Sequence, residues 1–371
     1  MQADSVEFAA EERPVRGRRV GGTIGRGVAW VLLAFAVIVL PLLLGQNFSI
    51  DTTGAATFVV VGLSLHVLAG YAGQISLGHQ GFLGLGALVA ANVAATTTLP
   101  TDPARFAIGF VAAMAIPAAV ALVLGAIALR IQGLYLALVT LVFGSVIADA
   151  FFTLGQFNGQ DAGQSAIRPA FLSDPRALYL FALLVVAGAY YLDRCLMNSK
   201  SGRALEAIRE SEPVAQAFGI DVVRYKLVGF AFSGALAGAA GVLFAFTAQE
   251  FSDKDFTSIA GFNKALVFIV MVVVGGLGSR IGVMVASAFF GLVDVIFANV
   301  FSALGFSNFY VDHKYYFSSV LGSLLLLQTV VLNPGGLGQV ISPITRWMSG
   351  GRFREHDDTV TGVPGGTHVR P

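Results

Sequence analysis

Uncharged stretches set the rhythm of this chain. No Asp, Glu, Lys or Arg occurs from residue 52 to 101, a run of 50 residues, and further uncharged runs occupy 106–129, 131–148, 177–192, 227–249, 265–279, 281–293, 295–311 and 315–345. A bilayer core takes ~20 helical residues, so the first run holds two crossings and a spare segment, GYAGQISLGHQG at 70–81. With isolated charges at Asp149 and Asp294 tolerated, the pattern predicts ten transmembrane helices. They fall near 27–45, 53–70, 80–96, 106–129, 133–152, 177–192, 227–247, 264–279, 282–303 and 315–332. The expected fold is an all-α polytopic membrane protein with Gly-rich broken segments. Two halves of five helices would have opposite orientations, compatible with an inverted repeat, although no residue-level repeat is visible.

Composition agrees: 56% of the 371 residues are hydrophobic and only 12% charged, where a soluble domain carries about a quarter. The 44 glycines suit close helix packing in lipid. Charge placement gives an orientation. With the amino terminus inside, the cytoplasmic segments hold Arg13, Arg16, Arg18, Arg19 and Arg26, then Arg130, six residues around the long loop, Arg280, and four in the tail. That is 17 of 23 basic residues, a strong positive-inside bias that predicts both termini cytoplasmic. Residues 1–26 read as a disordered arm rather than a signal peptide: the basic region is too long, and GQNFS follows the first apolar run. Residues 346–371 read as a disordered tail, leaving 27–345 as the transmembrane domain.

One polar insert interrupts the apolar pattern, NSKSGRALEAIRESEPVAQAFGIDVVRYK at 198–226, the core of a loop expected over 192–226. Ser201 is placed to cap a short helix in which Leu205 and Ile208 share a face while Arg203, Glu206, Arg209 and Glu210 occupy the others. Glu212-Pro213 starts a second helix and Gly219 ends it. Two short helices at an angle make a knob. Taken alone, it reads equally well as an interfacial connector or as a handle for a cytosolic partner.

The segment 70–91 brings Gln74, Ser76, His79 and Gln80 to membrane depth among six glycines that include Gly78. Irregular backbone is tolerated there only inside protein or beside a watery cavity, so this is the candidate translocation pathway, well matched to a zwitterion. For His79 itself, a satisfied interior histidine is the stronger reading. A second Gly-rich break, VVVGGLGSRIG at 272–282, places Arg280 as a topological anchor. Asp149 and Asp294 read as interfacial, and His66 as a packed helical histidine. Neither a metal-ligand cluster nor a phosphate-binding G-x-x-x-x-G-K-[ST] is present, and Cys195 is a single cysteine. The few intramembrane ionisable groups do not cluster, which argues against an ion-coupled carrier and for energy delivered through the loop.

Five stretches then carry a family resemblance: GYAGQISLGHQGFLGLGAL (70–88), LRIQGLYLALVTLVFG (129–144), SGRALEAIRESEPVAQAFGIDVVRYKLVGFAFSGALAGAAGVLFA (201–245), FTSIAGFNKALVFIVMVVVGGLGSRIG (256–282) and LNPGGL (332–337). They resemble the M-type permease subunits of branched-chain amino acid ABC importers, the Liv family. The resemblance implies a bacterial plasma-membrane importer with a second, H-type permease, two cytosolic ATPases that hydrolyse ATP, and an external solute-binding protein. It implies no cofactor on this chain, no enzyme activity of its own and no nucleic-acid partner. Residues 201–220 would be the coupling loop, with Glu206, Ala207, Glu210, Ala215, Ala217, Gly219 and Ile220 docking to the ATPase beside Arg203 and Arg209. The loop 153–176 lacks the family's usual T-G-G-x-x-G-L run, the loop SALGFSNFYVDHKYY is longer and more polar than usual, and Asn333 replaces an arginine. An importer of urea or short amides therefore stays open, as does a secondary carrier or channel.

Overall fold

The computed structural model describes residues 35–95, 102–128, 133–153, 164–252, 254–259, 262–305 and 335–348, with isolated helical positions at 324, 327, 328 and 331. The arm at 1–26, residues 27–34 of the first expected span, most of the tenth, and residues 349–371 lie outside this set. The main body is Phe35–Val340; a second unit joins Met1–Ala34 with Ile341–Pro371.

Helix α1, Gln46–His66, begins before the expected residue 53 and takes in Asp51. It then widens into a π turn, Val67–Tyr71, and stops. The widening is visible in its hydrogen bonds: the Ala72 N–H donates to Val67 O at 3.3 Å and the Gln74 N–H to Leu68 O at 2.9 Å, spacings of five and six residues. Gly73 takes a positive φ of 66°, and regular helix resumes only with α2, His79–Ala95. The predicted break is there, narrowed to 72–78.

Five more helices follow the expected spans closely: α3 (Asp102–Ala128), α4 (Leu134–Thr153), α5 (Pro175–Asn198), α8 (Val222–Ala248) and α10 (Arg280–Ala303). Between α5 and α8 lie the short α6 (Lys200–Glu210) and α7 (Glu212–Ala217). Helix α5 runs six residues past the expected 192, since its apolar face continues to Leu196. Among the described residues, five helices are long and apolar enough to cross a membrane: α1 with its π turn, α3, α5, α8 and α10.

The span expected at 264–279 is corrected. Helix α9 covers only Lys264–Gly275, 12 residues, about 18 Å at 1.5 Å per residue. A two-residue antiparallel pair, β3 (Ser258–Ile259) with β4 (Phe262–Asn263), precedes it, and a similar pair joins β1 (Gln164–Ser165) to β2 (Glu250–Phe251). Gly276, with φ 94°, ends α9. Lys264, at the start of α9, is buried. Its Nζ donates to the Asp255 carbonyl and lies 4.7 Å and 5.4 Å from the ring centres of Phe244 and Phe256, whose faces attract a cation. Helix α11, Gly336–Met348, was not expected and carries helical backbone into the residues assigned to a disordered tail.

Helices α1 and α8 form the centre. Of the apolar window of α1, 89% is buried, against 28% for α3, α5 and α10. Helix α8 packs on α1, α2 and α3, and glycines set how closely. A Cβ on Gly86 of α2 would lie 2.5 Å from the Gly238 carbonyl oxygen and 2.6 Å from its Cα. On the other side of α8, Pro117 of α3 has no N–H for the Ala113 carbonyl, and Gly238 lies against that freed oxygen. Close backbone approach of this kind supplies the packing that a hydrophobic driving force cannot supply within lipid.

Gly86→Ala should cost about 1–3 kcal/mol, because the new methyl would run into the Gly238 backbone. Gly188→Ala, where nothing lies within 4 Å, should gain about 0.5–1 kcal/mol from helix propensity alone. Thermal unfolding of the detergent-solubilised permease separates the two; equal stabilities would mean the α2–α8 crossing is loose.

Candidate functional site

The knob between α5 and α8 is built from caps. Ser199, not Ser201, caps α6: with φ −83° and ψ 173° it is extended, and its Oγ accepts from the Ser201 and Gly202 N–H groups at 3.1 and 3.3 Å. Gly202 makes the sharp return from α5, since a Cβ there would lie 2.5 Å from the Met197 Cα. Ser211 precedes α7, Pro213 sits in its first turn, and Gly219 follows its end with φ 78°. Asp221 caps α8 by accepting from the Arg224 N–H at 3.1 Å.

A small core holds these turns in one shape. Ile208, Ala215 and Val222 are buried together, with Ala207, Ile220 and Tyr225 packed around them. Lys226 pairs with Glu212 at 2.8 Å and fastens α7 to α8. Of the candidate docking residues, Arg203, Glu206, Glu210, Ala217 and Gly219 face outward. Ala215 faces inward, so its part is to hold the helices together. The residue that the sequence reading missed is Phe218, 82% exposed at the tip beside exposed Val214. An aromatic at a helix C-cap gives little periodic signal, and only the fold reveals that nothing covers it.

Arg209 behaves differently from its neighbours. Its guanidinium reaches out of the knob and donates from Nη1 to the Gly70 carbonyl, at the margin of the break. Its stem passes Gly73, where a Cβ would meet the Arg209 Cγ at 3.2 Å. A knob residue and the unwound segment are therefore in direct contact.

The break divides into two parts. Ala72, Gly73, Gln74, Ile75 and Leu77 line a cleft of about 640 Å³ that also takes in Leu136, Arg209, Glu210, Lys226, Leu266 and Ile269. Ser76, Gly78, His79 and Gln80 turn into the protein. His79 Nε2 lies 2.7 Å from Ser233 Oγ, and Ser233 and Ser64 exchange hydrogen bonds across α1 and α8 at 2.7–2.8 Å. This agrees with the interior reading of His79. Leu77 N–H donates to Thr140 Oγ1 at 2.9 Å, and a Cβ on Gly78 would stand 2.5 Å from the Thr140 carbonyl oxygen. Of the five candidate pathway residues, only Gln74 lines the cleft.

The other singled-out groups fall elsewhere. His66 is buried, with Nε2 3.2 Å from the Leu277 carbonyl oxygen and its ring against Tyr71. Asp294 lies on the exposed side of α10, and the Asp149 side chain is outside the described residues. Arg280 is more than an anchor: it pairs with buried Asp193 of α5. Cys195 is exposed and unbridged. Among the described residues, no three of His, Cys, Asp and Glu converge as a metal site.

A multi-helix body with a gapped central helix and a rigid external knob is the architecture of a membrane permease. The family described as branched-chain amino acid transport system / permease component matches residues 48–329, and the chain belongs to it. The LivM permease protein of the high-affinity branched-chain amino acid transport system of Salmonella typhimurium is 27% identical over 364 residues, covering 89% of this chain and 79% of its own. Escherichia coli LivM is 29% identical over 299 residues, covering 72% and 67%. A probable branched-chain amino acid permease protein LivH of Methanocaldococcus jannaschii is 29% identical over 157 residues, 42% of this chain and 45% of its own. No solved structure matches the chain.

The position of Gly78 changes what its substitution tests. Gly78→Val should lower the amount of permease that accumulates in membranes, at a cost of about 1–3 kcal/mol in stability, because the side chain meets α4 backbone. Gln74→Ala should leave accumulation unchanged. Immunoblots of isolated membranes distinguish the two; normal accumulation of Gly78→Val would mean that α2 and α4 can separate there freely.

Proposed function

We propose that this chain is the transmembrane permease subunit of an ATP-binding-cassette importer that takes up branched-chain or related amino acids by alternating access. The observation that carries the reading is the Arg209 contact. A knob with an exposed apolar tip is joined by the Arg209 guanidinium to the edge of the unwound stretch that ends α1. Movement of the knob by a cytosolic ATPase therefore acts on Gly70 and the residues that line the cleft. Phe218 and Val214 supply an apolar anchor for a partner groove, with Glu206 and Glu210 as its charged rim. Family membership and the printed names of the LivM relatives support the solute class.

The same reading assigns a multi-pass bacterial plasma-membrane location, ten spans and cytoplasmic termini, as the basic-residue bias indicates. Its partners are a second, H-type permease, two ATPases and an external solute-binding protein. The LivH likeness supports the first of these, because M- and H-type chains then share one ancestry. This chain contributes no ATP site.

Uptake of a panel of labelled amino acids and urea by the reconstituted complex tests the cargo. Glu206→Lys with Glu210→Lys, Arg209→Ala and Phe218→Asp should each lower uptake per ATP hydrolysed by roughly 2- to 30-fold, the range of coupling energies carried by single positions. Unchanged coupling in all three would remove the knob from the mechanism. Orientation has its own check. After Cys195→Ser, Ile167→Cys should react with an impermeant thiol reagent added outside intact cells, and Phe218→Cys only after permeabilisation. Reaction of both from outside would overturn the span count.

A further inference from the structure

Three buried or half-buried polar side chains meet just behind the break, none of them used by the reading above. Asp193 of α5 is 0% exposed. Arg280, the first residue of α10, forms an ion pair through Nε with its Oδ2. Tyr71, the last residue of the π turn, donates from its hydroxyl to the same Oδ2 at 3.2 Å and accepts from Arg280 Nε at 3.2 Å. The Arg280 guanidinium also lies 5.5 Å from the ring centre of Tyr190, one turn before Asp193.

Stability alone accounts poorly for this arrangement. Removing a carboxylate and a guanidinium from water is costly, and apolar side chains of similar volume hold helices together at least as well. The network is also incomplete: Oδ1 of Asp193 has no hydrogen-bond partner among the described residues, and a half-satisfied buried group weakens a purely structural role. Its location is informative. Tyr71 ends the helical part of α1, Ala72 begins the break, and Gly70 is the residue whose carbonyl Arg209 holds. The leading edge of the break is thus gripped from two sides, by the knob at Gly70 and by the buried triad one residue later.

We infer that Tyr71, Asp193 and Arg280 form a latch that positions the unwound segment 72–78 and opens once in each transport cycle, when movement of Arg209 draws Gly70 and Tyr71 away. Asp193 and Arg280 are positioning residues, acting on the pathway through Tyr71. The cycle that opens the latch rests on the proposed importer function; the hold on the break does not.

The reporter is Ser76→Cys in a Cys195→Ser background, because Ser76 is 1% exposed and reacts with a thiol reagent only when the break opens. With the latch intact, labelling of the full permease in membranes should be slow. Asp193→Asn should accelerate it by at least roughly tenfold, as expected when a local opening becomes easier, and Tyr71→Phe by less. In the reconstituted complex Asp193→Asn should also raise ATP hydrolysis without solute and lower uptake per assembled complex. Where Asp193→Asn leaves Arg280 unpaired and assembly suffers, Asp193→Asn/Arg280→Gln removes both charges. It should recover assembly and thermal stability while labelling stays fast and uptake stays uncoupled. If the double variant regains slow labelling and coupled uptake together with stability, the triad is packing and the latch is wrong. Labelling at the parent rate in every variant overturns it equally. Labelling needs neither ATP nor solute, so a parent complex without ATP-dependent uptake would count against the importer reading alone.

Discussion

Backbone groups at membrane depth must find partners within the protein, and the interruption of α1 depends on how that requirement is met. A helix cannot simply stop there. The π turn at Val67–Tyr71 lengthens the hydrogen-bond spacing step by step, and Leu77 N–H passes to the hydroxyl of Thr140. These substitutions are available because α1 is enclosed: α8, α10 and α5 surround it, so the freed groups meet protein rather than hydrocarbon. At Gly86 and Gly238, α8 is in turn held closely against α2.

The knob works on the opposite logic. It lies where water can satisfy its ends, yet Ser199 and Asp221 cap the starts of α6 and α8, Gly219 closes α7, and three apolar residues fill its interior. Two short helices of 11 and 6 residues would be marginal on their own. Held by Ser199, Asp221 and the Lys226–Glu212 pair, they form one packed unit. On the proposed reading, that unit moves as one body, and one arginine connects a partner's motion to the break.

Much of this was legible in the chain because it was written in runs. Fifty uncharged residues with clustered glycines announce two helices and an irregular segment, and a polar insert with Pro213 and Gly219 announces a helix pair. Single residues were harder. Asp193 stands beside Arg194 at what looks like the start of a loop, and only the continuation of α5 to Asn198 places it inside. Lys264 stands at the start of an apolar run, and only the fold shows Phe244 and Phe256 enclosing it. Ser201 lost the cap to Ser199 by a two-residue shift that sequence pattern cannot resolve. The candidate pathway residues shared a segment, but the turn at 72–78 sends Gln74 one way and Ser76, Gly78, His79 and Gln80 the other.

The shortness of α9 brings a buried cation close to the cleft. The cleft beside Gln74 and Arg209 reaches Leu266, two residues from Lys264 at the far end of a helix about 18 Å long. An ion or zwitterion crossing hydrocarbon faces a self-energy that persists over ~30 Å. At that end of α9 the ring faces of Phe244 and Phe256 enclose the Lys264 ammonium. A charged group brought there would therefore meet two aromatic faces and one cation.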